Sequence, residues 1–234
     1  MKILSFFMVI FCSGLFQIAY TQETSFDTEL SVLRKNIFSM CTQLQAGKPK
    51  ESQEQLLNDI DSIINNWMEM KKKYRDNIPA EYSKDPEWRN YFDEVEDNFL
   101  IMRQKVEQQK YKRASQFCGQ NCALFVKIHN INGKVTLTDK MFIIRQNIRT
   151  AVSMAKADNW KDAKNTIEQN GNILKRLKEL YPANKSEEFK SDLKILLNID
   201  KELKNMIKER DVNKLNEQFK SMLEKFNKIY FKYL

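Results

Sequence analysis

Glycine and proline are scarce, with five and four in 234 residues. Most sit where helices should stop, at Gly47, Pro49, Pro79, Pro86, Gly133 and Pro182. Leu, Lys, Glu, Gln and Met fill the stretches between, and these are good helix formers. No stretch alternates polar and apolar residues with period two, so strands are excluded and an all-α chain is expected. Histidine occurs once, at His129. The chain has no Ser/His/Asp set, no H-E-x-x-H, no phosphate-cradling glycine loop and no isolated carboxylate pair, so it is read as non-enzymatic. A run of unmixed positive charge is also missing. The formal charge is +8, but basic and acidic residues interleave along nearly every helix, as from Lys175 to Glu179 and from Glu202 to Lys208. Such mixing marks a solvated face with i,i+4 support. Nucleic-acid binding needs a basic stripe and is not expected.

A long apolar run occurs only at the N-terminus. Lys2 precedes an almost wholly apolar stretch from Ile3 to Ala19, and Ala19-Tyr-Thr21 places small residues at the −3 and −1 positions of a cleavage site. Residues 1–21 therefore read as a signal peptide, and a transmembrane helix would need about 20 apolar residues. The remainder is expected to be exported, periplasmic or extracellular, with no transmembrane anchor.

The same helical unit appears to be written twice. Leu33-Arg-Lys-Asn-Ile37 returns as Ile144-Arg-Gln-Asn-Ile148, Tyr74 ahead of Pro79 returns as Tyr181-Pro182, and Phe125-Val-Lys-Ile-His129 returns as Phe226-Asn-Lys-Ile-Tyr230. Eight helices can be drawn, four in each copy. The first spans about Phe26 to Ala46 with Leu30, Leu33, Ile37, Met40 and Leu44 as its apolar stripe. Ser52 and Gln55 form a capping box for the second, Asp85-Pro86-Glu87 starts the third, and the fourth carries Phe117 to His129. The second copy opens at Thr138-Asp139, with helices over about 139–156, 160–180, 186–209 and 212–233. Asp158, Ser186 and Asp211 are the expected caps. Short loops favour antiparallel neighbours. The expected architecture is two tandem up-down-up-down four-helix bundles, residues 22–133 and 134–234. Trp67, Trp88 and Trp160 are expected in ordinary cores, with an interface between the copies as the alternative.

The copies differ in reactive side chains. The first carries Cys41, Cys118, Cys122 and His129 where the second has Val152, Phe219, Leu223 and Tyr230. Cys118 and Cys122 share one helical face about 6 Å apart along the axis, and His129 lies about 10 Å beyond Cys122. One metal ion with bonds of about 2.0–2.3 Å cannot reach both thiols and His129. Cys41, near the end of the first helix, should neighbour the start of the fourth. The leading expectation is a Cys41–Cys118 or Cys41–Cys122 disulfide. Alternatives are a soft-metal site for copper or zinc at Cys41, Cys118 and Cys122, and inert buried thiols. His129, near a helix end, reads as a capping or packing residue.

The segment Phe117-Cys118-Gly-Gln-Asn-Cys122-Ala-Leu-Phe125-Val-Lys127, on the last helix of an exported four-helix unit, resembles the cytochrome c′ and cytochrome b562-like bundles. That family carries C-x-x-C-H for haem on its fourth helix. Here three residues separate the cysteines, and Ala123 stands where the iron-binding His would be. The resemblance implies a scaffold that has lost covalent haem. Noncovalent haem in the b562 manner would use Met40 and His129, which should lie at opposite ends of the bundle. The expected function is an exported binding or structural protein that takes an unidentified protein or small ligand without a cofactor. A copper, zinc or redox protein is the first alternative, and a haem-binding electron carrier the second.

Overall fold

A computed structural model describes residues 25–45, 47, 49, 51–180 and 187–234. The leader, Tyr181-Pro182 and the Ser186 cap lie outside the described residues. Among those described there are eight α-helices and no strand: α1 (Phe26–Gln45), α2 (Gln53–Tyr74), α3 (Trp88–Glu107), α4 (Tyr111–Ile131), α5 (Leu137–Lys156), α6 (Trp160–Leu180), α7 (Glu187–Glu209) and α8 (Val212–Tyr233), with a 3₁₀ turn at Ala80–Tyr82. No helix among them is long and apolar enough to cross a membrane.

The turns explain how so little glycine suffices. Gln109, Asp158 and Arg210 adopt positive φ, as do Gly47 and Gly133. Behind four of these residues the chain closes a six-to-one hydrogen bond onto the preceding helix: Lys110 N to Lys105 O at 2.8 Å, Lys134 N to His129 O at 2.7 Å, Asn159 N to Met154 O at 2.9 Å and Asp211 N to Met206 O at 3.0 Å. This is the Schellman closure, which satisfies carbonyls that a helix end leaves unpaired. Asp158 therefore terminates α5 and does not cap α6; its carboxylate accepts instead from Trp160 Nε1 at 2.5 Å. The cap of α5 is Thr136, in a full capping box with Asp139, two residues ahead of the expected opening. Ser52 caps α2 and Asp211 caps α8 as expected. Gln55 does not complete the Ser52 box, since its amide turns to Asp59 at 2.9 Å. Asp85 accepts from Glu87 N at 3.0 Å, and α3 begins one residue later, at Trp88.

Each helix packs on its neighbour in sequence. In addition α4 returns to α1, and α8 returns to α5. Trp67 and Trp88 are buried inside the first group of four, each donating to a carbonyl (Phe92 O at 3.1 Å, Tyr74 O at 2.9 Å) among Phe26, Tyr82 and Phe92. Neither lies between the two groups. That seam is formed by α1 and α4 on one side and α5 and α8 on the other. Phe38 meets Tyr230 edge to face at 5.0 Å, Ser31 donates to Leu234 O at 2.5 Å, and one hydrophobic core runs through both groups.

Candidate functional site

Helix α1 has two buried faces. Leu30, Leu33, Ile37 and Leu44 fill its own group, while Arg34, Phe38 and Cys41, at i, i+4 and i+7, turn to the seam. A three-residue set at this spacing lies along one side of a helix. Two sites result, one at each end of the seam.

At the first, charge is buried and matched. Arg34, His129 and Asp139 are 3%, 3% and 0% exposed. Arg34 Nη1 donates to Asp139 Oδ1 at 2.7 Å, and His129 Nδ1 lies 2.6 Å from Asp139 Oδ2. The same Oδ2 accepts from Thr136 N at 2.9 Å and Thr136 Oγ1 at 2.8 Å. One carboxylate thus completes the cap of α5 and serves as counter-ion to a base from α1 and another from α4. Its environment decides its ionisation. Burial works to raise the Asp139 pKa, but the His129 hydrogen bond and the Arg34 charge outweigh it, and the result is about 2. Burial likewise works to lower His129, but the hydrogen bond to Asp139 and the nearby Asp27 carboxylate prevail and its pKa is raised. Asp27, 3.5 Å from His129 Nε2, also receives Tyr82 OH at 2.6 Å.

At the other end a cleft of about 550 Å³ opens between α1, α4, α5 and α8. Phe38, Cys41 and Gln45 line it from α1, Gly119 and Cys122 from α4, Phe142, Arg145 and Arg149 from α5, and Tyr230 from α8. The rest of the lining is Ser115, Gln116, Gln120, Ala123, Gln146, Thr150 and Ser153, so hydroxyls and amides ring the mouth and no carboxylate is present. Gly119 keeps the space open: a Cβ there would meet only Gln146 Nε2, at 3.9 Å. Arg145 is 4% exposed. Its Nε donates to Asn227 Oδ1 at 2.8 Å, its Nη2 reaches Gln45 Oε1 at 3.4 Å, and its guanidinium stacks over Phe38 at 5.5 Å. Arg149, one turn on, is half-buried. Neither arginine forms an ion pair among the described residues. Burial lowers the pKa of both, and Arg149 lowers that of Arg145 further.

The thiols do not supply the missing negative charge. Burial pushes the Cys122 thiol up to about 12. Burial and the nearby Cys118 push Cys41 well above its ordinary value, and the pull of Arg145 and Arg149 does not reverse this. Both are therefore neutral thiols at physiological pH.

The residues singled out from sequence divide between these places. Cys41 and Cys122 line the cleft. Cys118 lies behind it, near enough to Cys41 to raise that thiol's pKa, and its sulfur is 3.4 Å from Met102 Sδ. All three are buried and free, with no disulfide among them. Among the described residues no group of three His, Cys, Asp or Glu side chains is disposed to hold a metal ion. His129 belongs to the charged end of the seam, and Met40 lies on the side of α1 facing Asp59 and Ile63 of α2. Asp27, which touches His129, is thirteen residues before Met40, about 20 Å along the helix. Arg34, Asp139, Arg145 and Arg149 were missed. The signal for Arg34 and Arg145 was the repeated Leu/Ile-Arg-x-Asn-Ile motif, which keeps an arginine at the border of an apolar stripe in both copies. Asp139 reads in the sequence only as a helix start.

Fold and site together define an all-α protein with a positively charged, neutral-thiol cleft between two groups of four helices. Comparison with models of known protein families, with curated proteins and with solved structures finds no match.

Proposed function

We propose that this chain is an exported, non-enzymatic binding protein built as tandem antiparallel four-helix bundles, with the cleft between them as its ligand site. The closed ring of pairings within each group supports the tandem arrangement, and the apolar leader supports export. The cleft carries the functional reading. Its volume falls in the range of small-molecule sites, about 300–1,000 Å³, and a mid-helix glycine, which costs about 0.5–1 kcal/mol relative to alanine, stands where a side chain would fill it.

A catalytic reading lacks an activated group. The cleft thiols are protonated, and the only imidazole is held between Asp139 and Asp27 at the other end of the seam. Copper or zinc at Cys41, Cys118 and Cys122 would place a cation beside Arg145 and Arg149, whose charge opposes it. Haem held by Met40 and His129 would need ligands from distant parts of α1 and α4. The likeness to cytochrome c′ therefore extends, in this reading, to the scaffold alone.

The test is a thermal-shift screen of neutral and charged small molecules on the natural protein and on Gly119→Leu. Ligands that stabilise the first and not the second support the cleft. A screen without ligands, or one whose ligands all act equally on both proteins, overturns it.

A further inference from the structure

We propose that the cleft takes a small polar organic oxyanion, its charged group gripped by Arg145 and Arg149 and its uncharged body met by the amides and hydroxyls at the mouth. This rests on reading the cleft as the ligand site and assigns the class of ligand.

The inference follows from a charge that the protein leaves unopposed. Arg145 and Arg149 are four residues apart on α5, so they stand on one face of the helix, and like charges at this spacing repel. Both project into a partly enclosed space whose walls contain no carboxylate. A buried charge is retained when it is paired or hydrogen-bonded, because losing its hydration is costly. The other seam arginine obeys this rule, since Arg34 is held by Asp139 at 2.7 Å. Arg145 has only neutral acceptors, Asn227 and Gln45, which orient the guanidinium without neutralising it. The nearby sulfurs remain protonated and add no charge. Two guanidiniums facing one space provide planar, multidentate donors suited to a carboxylate or phosphate group. Phe38 beneath Arg145 fixes the plane of one of them. Beyond the arginines, Gln, Ser and Thr side chains share the lining with Phe38, Ala123, Phe142 and Tyr230, so the ligand body is met by hydrogen-bonding groups as well as by apolar surface.

The experiment measures melting temperature and calorimetric affinity of the full mature chain with galacturonate, citrate or inorganic phosphate at matched ionic strength, with galactose and chloride as controls. At least one of the three oxyanions is expected to bind saturably where galactose and chloride do not. Which of them binds separates a carboxylate from a phosphate ligand. Arg145 is deeply buried, so Arg149→Gln carries the test. It should weaken the oxyanion about tenfold or more, as for loss of a charge-assisted hydrogen bond. In chloride alone, Arg149→Gln should melt no lower than the natural protein, since it relieves repulsion. The inference is overturned if none of the three oxyanions binds, if galactose binds equally well, if Arg149→Gln binds them undiminished, or if that variant is destabilised in their absence. Failure of the underlying reading looks different. Ligands lost in Gly119→Leu but indifferent to Arg149→Gln keep the cleft and refute the oxyanion. Oxyanions lost in Arg149→Gln but kept in Gly119→Leu put the site outside the cleft.

Discussion

At the scale of single residues, Asp139 carries the most. It is fully buried and holds Arg34, His129 and the first turn of α5 at once. Asp139→Asn leaves the Arg34 charge without its counter-ion, and breaking a buried pair from one side costs about 3–5 kcal/mol. Urea denaturation should register a loss of that size, partly recovered in the double variant Arg34→Met/Asp139→Asn. The same cluster sets a pH dependence. The His129 pKa is raised in the folded protein. Its contribution is therefore complete below the unfolded value of about 6.5 and is lost as pH rises through the folded one. Asp139, held near 2, contributes above the unfolded value of about 3.9 and loses it as pH falls towards 2, a change of about 2 kcal/mol. Unfolding free energies of the natural protein should decline from pH 6 to pH 9 by an amount that His129→Gln abolishes, while the acid limb shrinks in that variant to the part that Arg34 and Thr136 sustain. The thiols give a third expectation. Native protein should react slowly with a thiol reagent, because the sulfurs are buried and Cys41 and Cys122 are held protonated. In denaturant, the chain from Gln22 onward, without the Cys12 of the leader, should show three thiols when made under reducing conditions. Protein exported through an oxidising compartment should show one, if Cys41 and Cys118 use their proximity to join. Three in both preparations would reject the disulfide.

At the scale of elements, the helices were legible because their signals are local. The Leu30-to-Leu44 stripe, the Ser52 cap and the Asp211 cap all act within a few residues of themselves, and α1, α2 and α8 fall close to their expected limits. The α7 end falls at its expected limit of 209, although the turns closed by backbone alone carry no residue-type signal. Gln109 and Arg210 occupy the left-handed region with no glycine to mark it, because the Schellman hydrogen bonds hold them there. A side chain in that conformation costs roughly 1 kcal/mol. Gln109→Gly should accordingly raise stability by about 0.5–1 kcal/mol in thermal or urea unfolding, with no change in helix content by circular dichroism. A loss of stability there would mean that the Gln109 side chain contributes more than its backbone costs.

At the scale of the whole molecule, the seam joins the two groups of helices. Phe38 against Tyr230, Ser31 against Leu234 and Arg34 against Asp139 each link the first group to the second. A core continuous across the seam predicts one cooperative transition. Tryptophan fluorescence, which draws on Trp67 and Trp88 in the first group and on Trp160 in the second, should coincide with far-ultraviolet circular dichroism throughout urea unfolding. Two separated transitions would show that the groups fold independently. The sequence by itself determined the helices, since periodicity, caps and scarce breakers act over one or two turns, and it singled out the cysteines and His129 by their rarity. Only the tertiary structure decided what those residues meet. Cys41 and Cys118 came near one another across α1 and α4, with all three thiols free and none of the expected disulfides formed. Arg145 and Arg149 could not be distinguished from surface arginines in sequence, because a charge differs from its neighbours only through the groups that surround it. Those groups come from α1, α4 and α8, as many as 111 positions away along the chain (Phe38 to Arg149), and packing alone brings them to one cleft.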